Sequence, residues 1–295
     1  MTPDSKVSLP VRSTLASLFA AACVALSASP SVAATDASAP ISRQAAAAVT
    51  PPDAPTVMYY IYQVDGKGET TYEVTNGSVA TYWFGHAFES EGTHYYTGFA
   101  WDTADRYGKP GEDDVGPGTK VNITEVTFVL TDPAAERPWK FRGMEHTIGE
   151  FGAYERGEDV DPKRKPLEYR TPAGKLLLAV PTTSFDNGIT STGYALLVFN
   201  PARLKEEVDG NVWTYVGSLL TGEDNSAACA DGEVMPCTSS KGELVFTSDG
   251  KQDMPTVAVK PSGTTISGPN KTRQLSAADA TTFTFDAAKR TYVEK

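Results

Sequence analysis

An all-β fold, either one antiparallel β-sandwich or two tandem similar sandwiches, is predicted by three features of this sequence. Short runs rich in Val, Ile, Thr, Tyr and Phe recur through residues 56–295. Tight-turn pairs punctuate them, at Asp65-Gly66, Asn76-Gly77 and Asn187-Gly188. Helical patterning is confined to 201–207 (PARLKEE) and 276–280, where Ser276 stands three residues before Asp279 as a capping pair.

The elements follow in order. Residues 57–64 (VMYYIYQV) are β-branched and aromatic and read as the first strand, followed by 70–74, 79–84 and 94–101. Residues 121–131 (VNITEVTFVLT) place Val121, Ile123, Val126, Phe128 and Leu130 near period two. The one slip, at Thr124-Glu125, is what a β-bulge absorbs. Further strands are expected at 175–180, 193–199, 212–219, 243–247, 256–260, 281–285 and 291–293. A weak repeat links Asn76-Gly77, Tyr95-Tyr96-Thr97-Gly98 and 125–132 to Asn187-Gly188, Trp213 to Gly217 and 243–249. It suggests β domains at 56–165 and 166–295, divided near the Pro-rich basic stretch 161–172.

The amino terminus reads as an export signal over residues 1–34. Lys6 and Arg12 precede an apolar run, Ser29-Pro30 breaks it, and Val32-Ala33-Ala34 offers a peptidase site. The run is too short to span a bilayer. Residues 35–55, rich in Ala, Pro, Ser and Thr, read as a disordered linker. The protein is therefore expected in the periplasm or outside the cell. Cys23 would leave with the signal, and Cys229 and Cys237 are expected to form a local disulfide.

The whole chain carries a formal charge of −11, and loss of Lys6, Arg12 and Asp4 with the signal leaves −12. That sign argues against a nucleic-acid partner. Two loops concentrate the acid, at 102–114 and 222–233. Asp102, Asp105, Glu112, Asp113 and Asp114 in the first make a candidate calcium site, since clustered carboxylates suit a hard cation. Solvated acidic loops are the plainer reading.

Aromatic residues are the second feature. Trp83, Tyr95 and Trp101 are candidate ligand-binding residues, because neighbours in a strand point to opposite faces. Tyr95 and Tyr96, or Trp83 and Phe84, would then put one ring outside a single core. A sheet covered on both sides makes all of them core. For chemistry, the sequence has three His: His86, His94 and His146. With Glu145 or Glu91 they are a candidate zinc set, although the spacing lacks H-E-x-x-H. No nucleophile motif is present. The expectation is an exported, non-enzymatic protein that recognises a protein partner through acidic and aromatic loops. A glycan-binding module and a secreted, metal-assisted hydrolase are the alternatives.

Overall fold

The computed structural model describes residues 41–65, 68–106, 115–205, 211–248 and 250–295. The expected signal peptide, 1–34, lies outside the described residues. Among the described residues no helix is long and apolar enough to cross a membrane.

The fold is all-β and antiparallel, with three sheets among the described residues. The first sheet holds β1 (Thr71–Glu73), β2 (Val79–Ser90), β3 (Thr93–Asp102), β4 (Val121–Leu130) and β5 (Trp139–Phe151) in chain order. In the second, β6 (Asp159–Val160) and β7 (Leu167–Arg170) share one edge of β8 (Leu176–Asp186), followed by β9 (Ile189–Phe199) and β10 (Trp213–Asp224). The third is ordered β11 (Ser240–Thr247), β12 (Thr256–Gly268), β14 (Thr281–Asp286) and β15 (Thr291–Glu294), with β13 (Lys271–Gln274) paired to the far end of β12.

Side-chain alternation explains how the sheets stack. On β8, Leu176, Leu178 and Val180 join Trp83, Phe99 and Ile123 of the first sheet in one core. Leu177 and Ala179 point the other way and join Val257 and Tyr292 of the third sheet in another. The run LLLAV lacks polar alternation because both of its faces are buried. The second sheet is thus the shared middle layer of two cores.

This sharing differs from the division expected at 165/166. That boundary falls between β6 and β7, which pair the same strand, so it cuts through the middle sheet. The repeat also diverges at its last strand. β4 stays beside β3, whereas its counterpart β11 pairs β12 in the third sheet. Similar strand sequences here serve different layers.

The largest local difference is at 57–64. These residues are not a strand: α2 (Ala54–Tyr62) occupies them, following a short α1 (Arg43–Ala47). Asp53 Oδ1 accepts from Thr56 N at 3.0 Å as the N-cap, Pro55 sits in the first turn, and Gln63 closes the helix in the left-handed region. Val57, Met58 and Ile61 face Ala80, Tyr96, Ala100 and Val126 on the outer face of the first sheet. Residues 41–50, expected in the disordered linker, are also tied down. Trp139 Nε1 donates to Thr50 O at 3.0 Å, and Arg43 pairs with Glu89 at 2.7 Å.

The helix lies so close to the sheet that a Cβ on Gly98 would meet Val57 Cγ2 at 2.2 Å. Gly98→Ala is therefore expected to destabilise by about 1–3 kcal/mol through overpacking. Adding Val57→Ala should recover part of that loss in urea denaturation. Equal stability of wild type and Gly98→Ala would show that α2 does not sit there.

The expected disulfide is present, joining Cys229 and Cys237 with their Cα atoms 5.2 Å apart. It closes the loop between β10 and β11. Reduction is expected to cost about 2.5 kcal/mol in the chain-entropy model. For a chain of this size that is a melting shift of roughly 5–10 °C. Calorimetry with and without reductant checks it, and an unchanged melt would mean the loop is held without the bond.

Candidate functional site

The structure buries much of what the sequence offered as a binding surface. Trp83 is 8% exposed, lies in the core between the first two sheets, and donates Nε1–H to Glu158 O at 2.8 Å. Trp83 and Phe84 do not face opposite ways. A bulge leaves Trp83 unpaired between the Tyr82–Ala100 and Phe84–Phe99 pairs, so both rings turn toward the same core. Trp101 is partly buried at the edge of that core, close against Gly157. The Tyr pair does alternate: Tyr96 goes under α2 and Tyr95 to the other face.

The first acidic loop is only partly described. Glu112, Asp113 and Asp114 lie outside the described residues. Asp105 accepts from Asn76 Nδ2. Asp102 accepts from Tyr62 Oη at 2.7 Å and from Asn122, and burial raises its pKa above the ordinary carboxylate range. Among the described residues no three His, Cys, Asp or Glu side chains are grouped to hold a metal.

The histidines do not converge. His86 Nε2 bonds Glu168 Oε1 at 2.7 Å, and His94 Nε2 donates to Ile41 O at 3.0 Å. The register sets His94 level with Leu130 of β4 and His146 level with Thr124. Six residues of β4 are roughly 20 Å at the strand rise of about 3.3 Å per residue. The three His therefore cannot share one zinc ion, and the hydrolase reading loses its ligand set.

One predicted residue, Tyr95, does line a cleft. Its volume is about 480 Å³, and β2, β3, β7, Trp139 and residues 43–51 form its walls. Phe88 and Tyr95 are directly opposed across β2 and β3, with rings stacked at 5.5 Å and 23°. Charges stand around this aromatic floor. Arg43 pairs with Glu89, and Glu168 is shared by His86 and Arg170, the latter at 3.2 Å. The His86 hydrogen bond is the main cause holding the Glu168 carboxyl below its ordinary pKa. Arg170 also lies 6.0 Å from the Phe88 ring centroid.

The far wall is the chain's own segment 41–51. Cleft side chains hold it by its backbone carbonyls, His94 at Ile41 and Trp139 at Thr50. Sequence reasoning missed Arg43, Phe88, Glu89, Glu168 and Arg170. They come from three separate stretches, and only the sheet register brings them together.

A second polar cluster is fully internal. Glu125 on β4 is 1% exposed, and Glu145 on β5 lies opposite it beside a smaller cavity. Trp213 Nε1 donates to Thr97 Oγ1 at 3.1 Å, Thr97 bonds Thr127 at 2.8 Å, and Thr127 Oγ1 donates to Glu125 Oε2 at 2.6 Å. Glu145 accepts from the amides of Val212 at 2.6 Å and Trp213 at 2.9 Å. The two carboxyls bond each other, so the chain of bonds closes on Trp213. Burial raises both pKa values, Glu125 well above the ordinary range. The two amide donors favour the charged form of Glu145, so Glu125 holds the proton and donates it to Glu145.

No protein family, curated protein or solved structure matches this chain.

Proposed function

We propose that this chain is an exported, non-enzymatic binding protein that holds an extended segment of a protein partner in the cleft around Tyr95. The observation that carries the reading is how the cleft treats residues 41–51. His94 and Trp139 reach the carbonyls of Ile41 and Thr50. Side-chain donors aimed at backbone carbonyls above an aromatic floor recognise an extended chain without demanding one sequence. The Arg43–Glu89 and Glu168–Arg170 pairs give polar contacts for the partner's side chains. The net charge of −11 favours encounter with a basic partner. The Cys229–Cys237 disulfide is compatible with export.

Panning a random-peptide display library against residues 35–295 tests this. The expected result is enrichment of a peptide class whose affinity falls at least tenfold in Tyr95→Ala, with the thermal melt nearly unchanged. No enrichment, or binding indifferent to Tyr95, would sink the reading.

A glycan-binding reading draws on a different surface. Tyr60 and Phe141, 39% and 49% exposed, stack at 5.3 Å and 11°, with Tyr59 beside them. Retardation in polysaccharide-containing gels, abolished by Tyr60→Ala, would favour that module. Unretarded migration in every polysaccharide would leave the cleft reading alone.

A further inference from the structure

A cavity of about 390 Å³ opens at one end of the core between the second and third sheets. Its charge lining is unlike that of the others. The cleft around Tyr95 has two Arg and two Glu in its lining, and so does the cavity beside Glu125. Here Lys175, Arg203 and Arg290 line the wall, and among the described residues no carboxylate does. Three cations around one cavity are unexpected in a chain of net charge −11. Their mutual repulsion in a partly desolvated space is a cost that a bound anion removes.

The topology explains the gathering. Lys175 immediately precedes β8, Arg203 lies in the 3-10 turn Pro201–Lys205 after β9, and Arg290 lies in the turn between β14 and β15. Lys175 is oriented by Asp253 at 2.9 Å. Arg290 makes no ion pair with any described residue, and its charge stays uncompensated by direct contact. Asn200, Asn211 and Thr214 add neutral polar groups to the lining. The floor is different in kind: Val198, Val216, Met254 and Phe285 are apolar and belong to the core or lie against it.

We infer that this cavity is a binding site for a small amphipathic organic anion. Its carboxylate or sulfonate would sit among Lys175, Arg203 and Arg290, with its hydrocarbon body on Val216, Met254 and Phe285. The apolar floor argues against a bare inorganic ion, which would leave that surface wet. The site is on the opposite core from the Tyr95 cleft and does not depend on the peptide-binding reading.

Titration calorimetry of residues 35–295 with octanoate and, separately, with sulfate tests the site. Saturable binding of octanoate at one site per chain is expected, at least tenfold tighter than sulfate. Arg290→Gln, at an exposed turn with no ion pair to lose, should weaken octanoate at least fivefold with an unchanged melt. Lys175→Gln should weaken it as well, and loss of its pair with Asp253 will show separately as a lower melting temperature. Octanoate binding that is absent at millimolar concentration, or unaffected by Arg290→Gln, overturns the site. Equal affinity for sulfate overturns the amphipathic class.

Discussion

Glu145→Gln is expected to cost the fold about 3 kcal/mol, whereas Glu125→Gln is expected to be tolerated at pH 5 and stabilising above it. The asymmetry comes from which carboxyl holds the proton. Glu145 accepts from two backbone amides and from Glu125, so it needs acceptors at both oxygens. An amide there turns an NH2 group toward a buried N–H donor. An unmet buried donor costs about 1–3 kcal/mol, and weakened bonds to a former charge add to it. Glu125 instead donates to Glu145 and accepts from Thr127, and a glutamine side chain does both.

The pH dependence follows from the raised pKa of Glu125. In the unfolded chain a glutamate titrates near ~4.3. Above that pH the unfolded chain releases a proton that the folded pair retains. Stability from this group is therefore greatest below about pH 4.3 and falls as pH rises, by at most about 1.4 kcal/mol per unit, until the folded pair deprotonates. Glu125→Gln removes that slope. Urea denaturation at pH 5, 6, 7 and 8 should show the wild-type curve falling away from that of the variant. Parallel curves, or a costly Glu125→Gln beside a neutral Glu145→Gln, would place the proton elsewhere.

The residues that were legible in the sequence are those whose partners are near in the chain or whose period is clean. The Cys229–Cys237 pair is one case. The Thr124-Glu125 slip is another, because the alternation of β4 shows it on its own, and β4 does shift register against β5 there. The helix at 54–62 had its signal in Asp53 and Pro55. It was outweighed by the β-branched and aromatic look of VMYYIYQV, whose burial follows helical spacing at Val57, Met58 and Ile61. β5 went unread because KFRGMEH on an edge strand has no buried face to impose alternation. The candidate sites were the least legible part. Glu125 and Glu145 are brought together by a register that two shifts have altered, and no local rule counts through such shifts. Arg43 meets Glu89, and Glu168 meets His86, only after sheets and amino-terminal segment have assembled. Aromatic alternation was a sound rule applied without knowing that α2 and the second sheet cover both faces of the first.

Trp213→Ala is expected to remove about 3–5 kcal/mol, the range for deleting a large buried aromatic side chain, and to do so unevenly across the molecule. Trp213 is fully buried at the join between the first two sheets. Its ring meets Phe99 at 5.0 Å, Phe199 at 5.3 Å and Phe88 at 5.5 Å, and its Nε1–H supplies Thr97. Total stability of a domain is about 5–15 kcal/mol, so this loss is a large share of it. The other face of the second sheet keeps Leu177, Ala179 and Leu196 against the third sheet. Local opening should therefore rise first in the first sheet. Hydrogen exchange should show amides of β3 and β4 speeding up in Trp213→Ala while those of β8, β9 and β12 stay slower. Trp213→Phe retains most of the ring packing and should lose much less. Equal acceleration in all three sheets would mean that the two cores open as one cooperative unit. An unchanged exchange pattern would mean that Trp213 does not bind the first sheet to the second, and the shared-layer account of the fold would fail with it.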